Sequence, residues 1–282
     1  MGEEEQRLRW YAEKALDERR HWYSSAVEAY DRVRPRYPES LVQRAVALAK
    51  LAPGAQLLEL GCGPGTATVT FARLGFALVC LEPNAEFCAR ARENCASYGA
   101  VEIRNLAFEE WEPQGARFDA VIAATSFHWI PEDIRNPKTI AVLKAGGALV
   151  LLWNTAMQPT PEVHASFLPV YEQFAPKLAR YETGQMQEEN IKSFGQSLLD
   201  SHYFKELHYE QCACTVEYDA EEYAGLLSTY SPYLELEPER RAQLFTGLQE
   251  VIAQQWAGRI ALSYLSALHV AHPHAQGEDR ES

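Results

Sequence analysis

The residues best placed to hold a small ligand are a run of alternating glycines bracketed by two acids. The run is Glu59-Leu60-Gly61-Cys62-Gly63-Pro64-Gly65, and the second acid, Glu82, follows about twenty residues after the first glycine. Apolar Ala55-Gln56-Leu57-Leu58 precedes the glycines and Thr66-Ala67-Thr68-Val69-Thr70-Phe71-Ala72 follows, an order that reads as strand, glycine turn, helix. Glycine at these positions lets the backbone turn sharply and lets a ligand approach with no Cβ in the way. A second strand-like run, Phe76 to Leu81, delivers Glu82 to its carboxyl end. In a doubly wound sheet, an acid there meets the ribose hydroxyls of a bound nucleoside.

The glycine spacing narrows the ligand. It is G-x-G-x-G, whereas a dinucleotide fold uses G-x-G-x-x-G and sets a pyrophosphate on the helix N-terminus. Glu59 is unfavourable for a diphosphate and suits a cationic or zwitterionic ligand. No G-K-[ST] follows, which excludes a P-loop. Two further groups carry chemistry. Arg34-Pro35-Arg36-Tyr37-Pro38, preceded by Tyr30-Asp31, sets one arginine on each side of Pro35, and prolines on both sides of Arg36-Tyr37 fix the backbone there. Ala123-Ala124-Thr125-Ser126-Phe127-His128-Trp129 follows the fourth expected strand, at the end of a parallel sheet where ligand contacts gather.

These motifs resemble those of the class I S-adenosylmethionine-dependent methyltransferases, in particular the trans-aconitate methyltransferase-like and type 11 small-molecule group. The resemblance is firm over about residues 28–153. It implies S-adenosyl-L-methionine as cofactor, with the glycine turn (Glu59, Gly61, Cys62, Gly63, Gly65) as motif I and Glu82, with Pro83 beside it, as the ribose acid. It implies that Tyr30 and Arg34 close over the methionine end. The backbone at Ala124 and Thr125 would contact the methionine moiety, and the ring of Phe127 or Trp129 would lie against the sulfonium, a contact worth roughly 1–2 kcal/mol when desolvated. His128 and Trp129 would line the transfer site, with His128 the candidate base for a hydroxyl or amine acceptor. Many members carry an Asp for the adenine amino group. Ala107 stands there in this chain, so adenine recognition would rest on backbone near Ala107 and Phe108. The first expectation for the acceptor is a small carboxylic acid, because Arg34, Arg36 and Arg259 are available. Tyr230 and Tyr233 are further candidates for reaching it. Two other readings are a cofactor-binding protein without transfer activity and, less favoured by the glycine spacing and Glu59, a nicotinamide-dependent oxidoreductase.

The expected elements agree with this. Strands at 55–60, 76–81, 101–105, 118–124 and 146–153 alternate with helices at 66–74, 84–97 and 131–142, Asn84 capping the second of these. Strands alternating with helices imply a Rossmann-like, doubly wound α/β fold with both sheet faces covered. The resemblance extends this to a seven-stranded sheet of order 3-2-1-4-5-7-6. A helical N-terminal cap (1–37, with Leu8, Tyr11, Ala15 and Trp22 near helical spacing) would precede the methyltransferase domain (38–271). Residues 155–202 would form an inserted helical lid, and 272–282 a disordered tail.

With 282 residues, 47% hydrophobic, the chain can bury a large core. Net charge is −13 and no dense Lys/Arg run occurs, so nucleic acid is not an expected partner. No apolar run is long enough to span a bilayer, and acidic Met1-Gly2-Glu3-Glu4-Glu5 is unlike a secretory signal. A cytoplasmic monomer or homodimer acting on a small-molecule acceptor is expected. The six cysteines are scattered, and Cys212-x-Cys214 lacks a second cluster, so no metal is expected.

Overall fold

The computed structural model describes residues 14–274. The expected N-terminal positions Leu8 and Tyr11, and residues 275–282 of the expected tail, lie outside the described residues. Two short helices, α1 (Leu16–His21) and α2 (Val27–Val33), flank a 3₁₀ turn at Ser24–Ala26. Pro38 ends this segment and starts α3 (Glu39–Leu48). The alternating unit follows: β1 (Gln56–Leu60), α4 (Thr66–Arg73), β2 (Ala77–Glu82), α5 (Ala85–Asn94), β3 (Val101–Asn105), β4 (Phe118–Ala124), α6 (Glu132–Val142) and β5 (Leu143–Asn154). Asn84 caps α5 as expected, its Oδ1 accepting from the Phe87 amide at 2.8 Å.

The second half runs β6 (Gln158–Pro159), α7 (Pro161–Phe174), α8 (Gly184–Asp200), β7 (Phe204–Asp219), α9 (Ala220–Leu227), α10 (Ser231–Leu234), α11 (Pro238–Gln255) and β8 (Arg259–Pro273). The sheet order is β3-β2-β1-β4-β5-β8, with β7 beyond β8. This is the expected 3-2-1-4-5-7-6 arrangement with one addition. The two-residue β6 also pairs with β8, so the sheet has eight strands. β8 is antiparallel to β5 and β7 antiparallel to β8. His272 and Pro273 pair with Lys205 and Phe204, so the strand continues past the expected start of the tail.

Register places the site. In parallel pairs Leu60 lies opposite Leu81, Glu82 opposite Asn105, and Ala124 opposite Leu152. The carboxyl ends of β1, β2, β3, β4 and β5 therefore form one rim; the glycine turn, Glu82 and the segment through His128 and Trp129 lie on it, whereas Arg34–Pro38 belongs to the N-terminal segment. Successive residues on a strand face opposite sides. Leu57 and Cys80 join α3 and α4 on one face; Leu58, Leu60 and Leu81 join Phe127, Ile191 and Leu198 on the other. A third apolar cluster holds α7, α9 and α11 against β7 and β8. Outside the lid expected at 155–202, α10 between β7 and β8 also reaches the cavity over the rim. Among the described residues no helix is long and apolar enough to cross a membrane.

Candidate active site

Gly61, Gly63 and Gly65 all take positive φ, of 64°, 54° and 87°. The Gly61 amide donates to the Leu81 carbonyl at 2.8 Å, which ties the turn to the end of β2. Glu82 closes the unit from below. Its Oε2 accepts from the Gly63 amide at 2.8 Å and its Oε1 from the Asn84 amide at 2.9 Å. Burial pushes the Glu82 carboxyl up to about 7, against the lowering influence of those two amides.

Above this rim lies a cavity of about 330 Å³. Of the residues expected at the site, Tyr30, Arg34, Gly61, Gly63, Glu82, Pro83, Ala107, Phe108, Ala124, Thr125, His128 and Trp129 line it. Four do not. Glu59 is fully buried on the helix-covered face, where its Oε2 accepts from Thr68 Oγ1 at 2.6 Å. Its side chain shares the parity of Leu57, so it points into the sheet face rather than over the rim. Phe127 is fully buried beneath the cavity, with its ring 6.5 Å from Phe194 and the Arg135 guanidinium 5.3 Å away, so it is not placed against a sulfonium. Gly65 serves as the N-cap of α4, where an added Cβ would sit 3.2 Å from Cys95 Sγ. Cys62 borders a smaller side cavity. Its thiol is buried and its pKa raised well above the usual value, chiefly by its hydrogen bond with Cys80 and by burial.

The arginines separate. Arg34 is held by Thr229, donating from Nε to Oγ1 at 2.7 Å and from Nη2 to the carbonyl at 2.6 Å. Its guanidinium lies between the rings of Tyr30 (4.9 Å) and Tyr230 (4.1 Å). The Nε–Nη2 edge is therefore committed to Thr229, while Nη1 and the second N–H of Nη2 keep the other edge for a ligand. Arg36 turns outward to Asp31 and Thr66, and Arg259 lies exposed beside Glu217 and Glu222. Neither lines the cavity, which removes two of the three groups expected to recognise an acidic acceptor. Tyr230 does line it, its hydroxyl accepting from the Met157 amide at 2.9 Å; Tyr233 instead pairs with Tyr171 at 2.8 Å.

Aromatic rings form part of the walls. Tyr23 lies 5.9 Å from Tyr30 and 5.7 Å from Trp129, and Tyr30 lies 5.2 Å from Phe87. The His128 ring stacks at 5.7 Å on Trp153, whose indole N–H donates to His269 Nδ1 at 3.1 Å. Burial lowers the His269 pKa to about 4, so this imidazole stays neutral and keeps its acceptor.

Several lining residues carried no motif. Gln187, Asn190, Ile191 and Phe194 come from α8, Leu16, Arg19 and Tyr23 from the N-terminal segment, and Ser231 and Pro232 from α10. The α8 group has helical spacing, which was the one available signal. Trp153 and Asn154, at the end of β5, follow the same rim rule as Thr125. The Tyr23 hydroxyl meets Ser231 Oγ at 2.7 Å across the cavity, so the N-terminal segment and α10 roof it together. Cys212 and Cys214 lie 4.0 Å apart on β7. Among the described residues no group of three or more His, Cys, Asp or Glu side chains is placed to hold a metal.

This rim, turn and acid stand on a Rossmann-like α/β sheet of order 3-2-1-4-5 with antiparallel strands beyond β5. Residues 57–147 match the family described as a methyltransferase domain. An uncharacterised methyltransferase of Mycobacterium tuberculosis (strain ATCC 25618 / H37Rv) is 34% identical over 135 residues, 47% of this chain and 52% of its own length. Trans-aconitate 2-methyltransferase of Variovorax paradoxus (strain S110) is 30% identical over 133 residues, covering 46% and 49% respectively. The chain thus spans about half the length of the curated relatives it matches. Among solved structures, a type II methyltransferase candidate from Anaeromyxobacter dehalogenans superposes with a TM-score of 0.62 at 21% identity, covering 86% of this chain and 99% of that one.

Proposed function

We propose that the protein is an S-adenosylmethionine-dependent methyltransferase acting on a small-molecule acceptor. The observation that carries this reading is the turn over Glu82: Gly61 and Gly63 bare the backbone on the cavity wall, and the buried carboxylate beneath them lines the same cavity. Glu82 would accept from the ribose hydroxyls, Ala107, Phe108 and Pro83 would enclose the adenine, and Arg34, Gly61 and Thr125 would hold the methionine end. S-adenosylmethionine supplies an electrophilic methyl group on a sulfonium. The chain's contribution is placement and dryness: aromatic walls exclude water, and α8 with the N-terminal segment closes the space around the acceptor. His128 lines the transfer end and would take the proton from a hydroxyl or amine acceptor; a carboxylate acceptor would need no base. With Arg34 assigned to the methionine end and Arg36 and Arg259 facing elsewhere, none of these arginines is left to recognise an acidic acceptor.

Calorimetry with S-adenosylhomocysteine and labelled methyl transfer into a metabolite extract test this reading. Glu82→Ala is expected to weaken S-adenosylhomocysteine binding by about 1.5–3 kcal/mol, the scale of hydrogen bonds to a charged group. Tight binding of a nicotinamide dinucleotide, with none of S-adenosylhomocysteine, would overturn the assignment.

A further inference from the structure

Two locally unfavourable choices meet at His269, on β8. Its imidazole is 1% exposed, and its Nε2 has no hydrogen-bond partner. It lies against Gly195, inside α8, where an added Cβ would sit 2.6 Å from Nε2 and 3.0 Å from Cδ2. A glycine weakens a helix interior, and a buried N–H without an acceptor is unfavourable. What the histidine provides is on its other nitrogen. Nδ1 accepts the Trp153 indole N–H at 3.1 Å. An indole N–H only donates, so Nδ1 is unprotonated and the ring's proton is on Nε2. Burial, which lowers the His269 pKa to about 4, keeps the ring in that neutral form.

The hydrogen bond orients a wall of the main cavity. Trp153 on β5 pairs with Ala267 on β8, which makes His269 its diagonal neighbour on the same sheet face. The indole is buried and lines the cavity. The Phe194 ring stands edge-on to it at 4.7 Å, and the His128 ring stacks on it at 5.7 Å with 30° between the planes. Packing alone would be served by a phenylalanine at 153. A buried indole N–H needs an acceptor, and meeting that acceptor fixes the rotation of the ring. His128 itself sits in the three-residue turn Phe127–Trp129, so the surface its ring lies on helps to set its plane.

We propose that His269 is a positioning residue for methyl transfer: it fixes the plane of the Trp153 indole and, through the stack, the orientation of the His128 ring at the transfer end of the cavity. This rests on the reading of His128 given above. It adds a residue of the last strand that stands behind the cavity wall and does not itself line the cavity.

The experiment compares His269→Leu with His269→Asn. The two side chains have the same branched outline, and only Asn can set an oxygen acceptor where Nδ1 stands. The first readout needs no acceptor molecule: the His128 ring signal in the NMR spectrum of histidine-labelled protein, assigned by its loss in His128→Gln. A ring stacked on an indole is shifted by it, so the signal is expected to move in His269→Leu and to keep its wild-type position in His269→Asn. The second readout is labelled methyl transfer into the metabolite extract. It is expected to fall about tenfold or more in His269→Leu and to recover to within about threefold of wild type in His269→Asn, while S-adenosylhomocysteine affinity stays within about twofold in both. Leu and Asn variants that behave alike would overturn the proposal, since packing would then be all that matters at 269. So would an unmoved His128 signal in His269→Leu. If that variant does not fold, Trp153→Phe removes the same hydrogen bond from the other side, and an unmoved His128 signal there overturns the proposal equally. Absence of any transfer by wild type would instead remove the methyltransferase reading, and the His128 signal would still decide whether His269 holds that ring.

Discussion

Replacing Gly61 with alanine is expected to destabilise the protein by about 2–5 kcal/mol and to abolish measurable S-adenosylhomocysteine binding. Two effects add. Gly61 sits at φ 64°, where an L side chain costs about 1–2 kcal/mol. A Cβ there would also lie 2.8 Å from Ser126 Cβ and 3.3 Å from its Oγ, and forced overpacking costs about 1–3 kcal/mol. Ser126 cannot yield cheaply, because its hydroxyl donates to the Leu60 carbonyl at 2.5 Å. It also directly precedes the 3₁₀ turn Phe127–Trp129, so any shift is passed to His128 and Trp129. Gly63→Ala is the contrasting control. It has φ 54° but nothing within 4 Å of its added Cβ, so the fold should lose only the backbone strain of about 1–2 kcal/mol. Urea melts paired with calorimetry separate the two variants. A Gly61→Ala protein as stable as Gly63→Ala would show that the turn is not pinned against β4 as described.

Why Gly61 was legible from sequence, and much of the cavity was not, follows from where the information lies. The turn, Glu82 and the His128–Trp129 segment are each local: a strand end, a glycine, an acid at the next strand end. The sheet then aligns those ends by register, so spacing along the chain becomes placement in space. Asn84 was readable for the same reason, since a cap acts within three residues. The roof is different. Tyr23 and Ser231 are far apart in sequence, and their hydroxyls meet only because β7 and β8 bring α10 back over the rim. No local pattern encodes that closure.

The arginines show the same limit at shorter range. Arg34 and Arg36 flank one proline, yet only Arg34 enters the cavity. The difference is made by Thr229 and Tyr230, nearly two hundred residues away. Glu59 adjoins the glycine turn along the chain, but adjacency in sequence does not set which way a side chain faces. The strand's alternation already placed it with Leu57, on the face that α4 covers. Applying the two-residue period to the motif itself would have sent this carboxylate inward.

That inward carboxylate leads to an expected pH signature in stability. Glu59 is fully buried, and burial pushes its carboxyl up to about 7 from the usual 4.5, with the charge of Glu82 adding to the rise. Thr68 and Cys80 oppose the rise by hydrogen bonding to Oε2, while Oε1 has no hydrogen-bond partner. The remaining titratable groups that interact with it, Tyr37, Cys62 and Cys95, are all themselves shifted towards their neutral forms. A carboxyl whose folded pKa is raised favours the folded state at low pH. Below about 4.5 it is protonated in both states and contributes no difference. Between 4.5 and about 7 the unfolded chain ionises it and the folded protein does not, so stability falls with rising pH. Above 7 the full penalty, about 3 kcal/mol at 1.36 kcal/mol per pH unit, is in place. Glu59→Gln cannot ionise and lacks this dependence. Its stability relative to wild type is expected to improve by about 2–3 kcal/mol between pH 5 and pH 8, whatever constant offset the new amide introduces at the Oε1 position. Urea unfolding of both proteins across that range reads the difference directly. Parallel stability curves would mean that Glu59 titrates alike in the folded and unfolded chains and is not the dry, buried carboxyl beneath α4 described here.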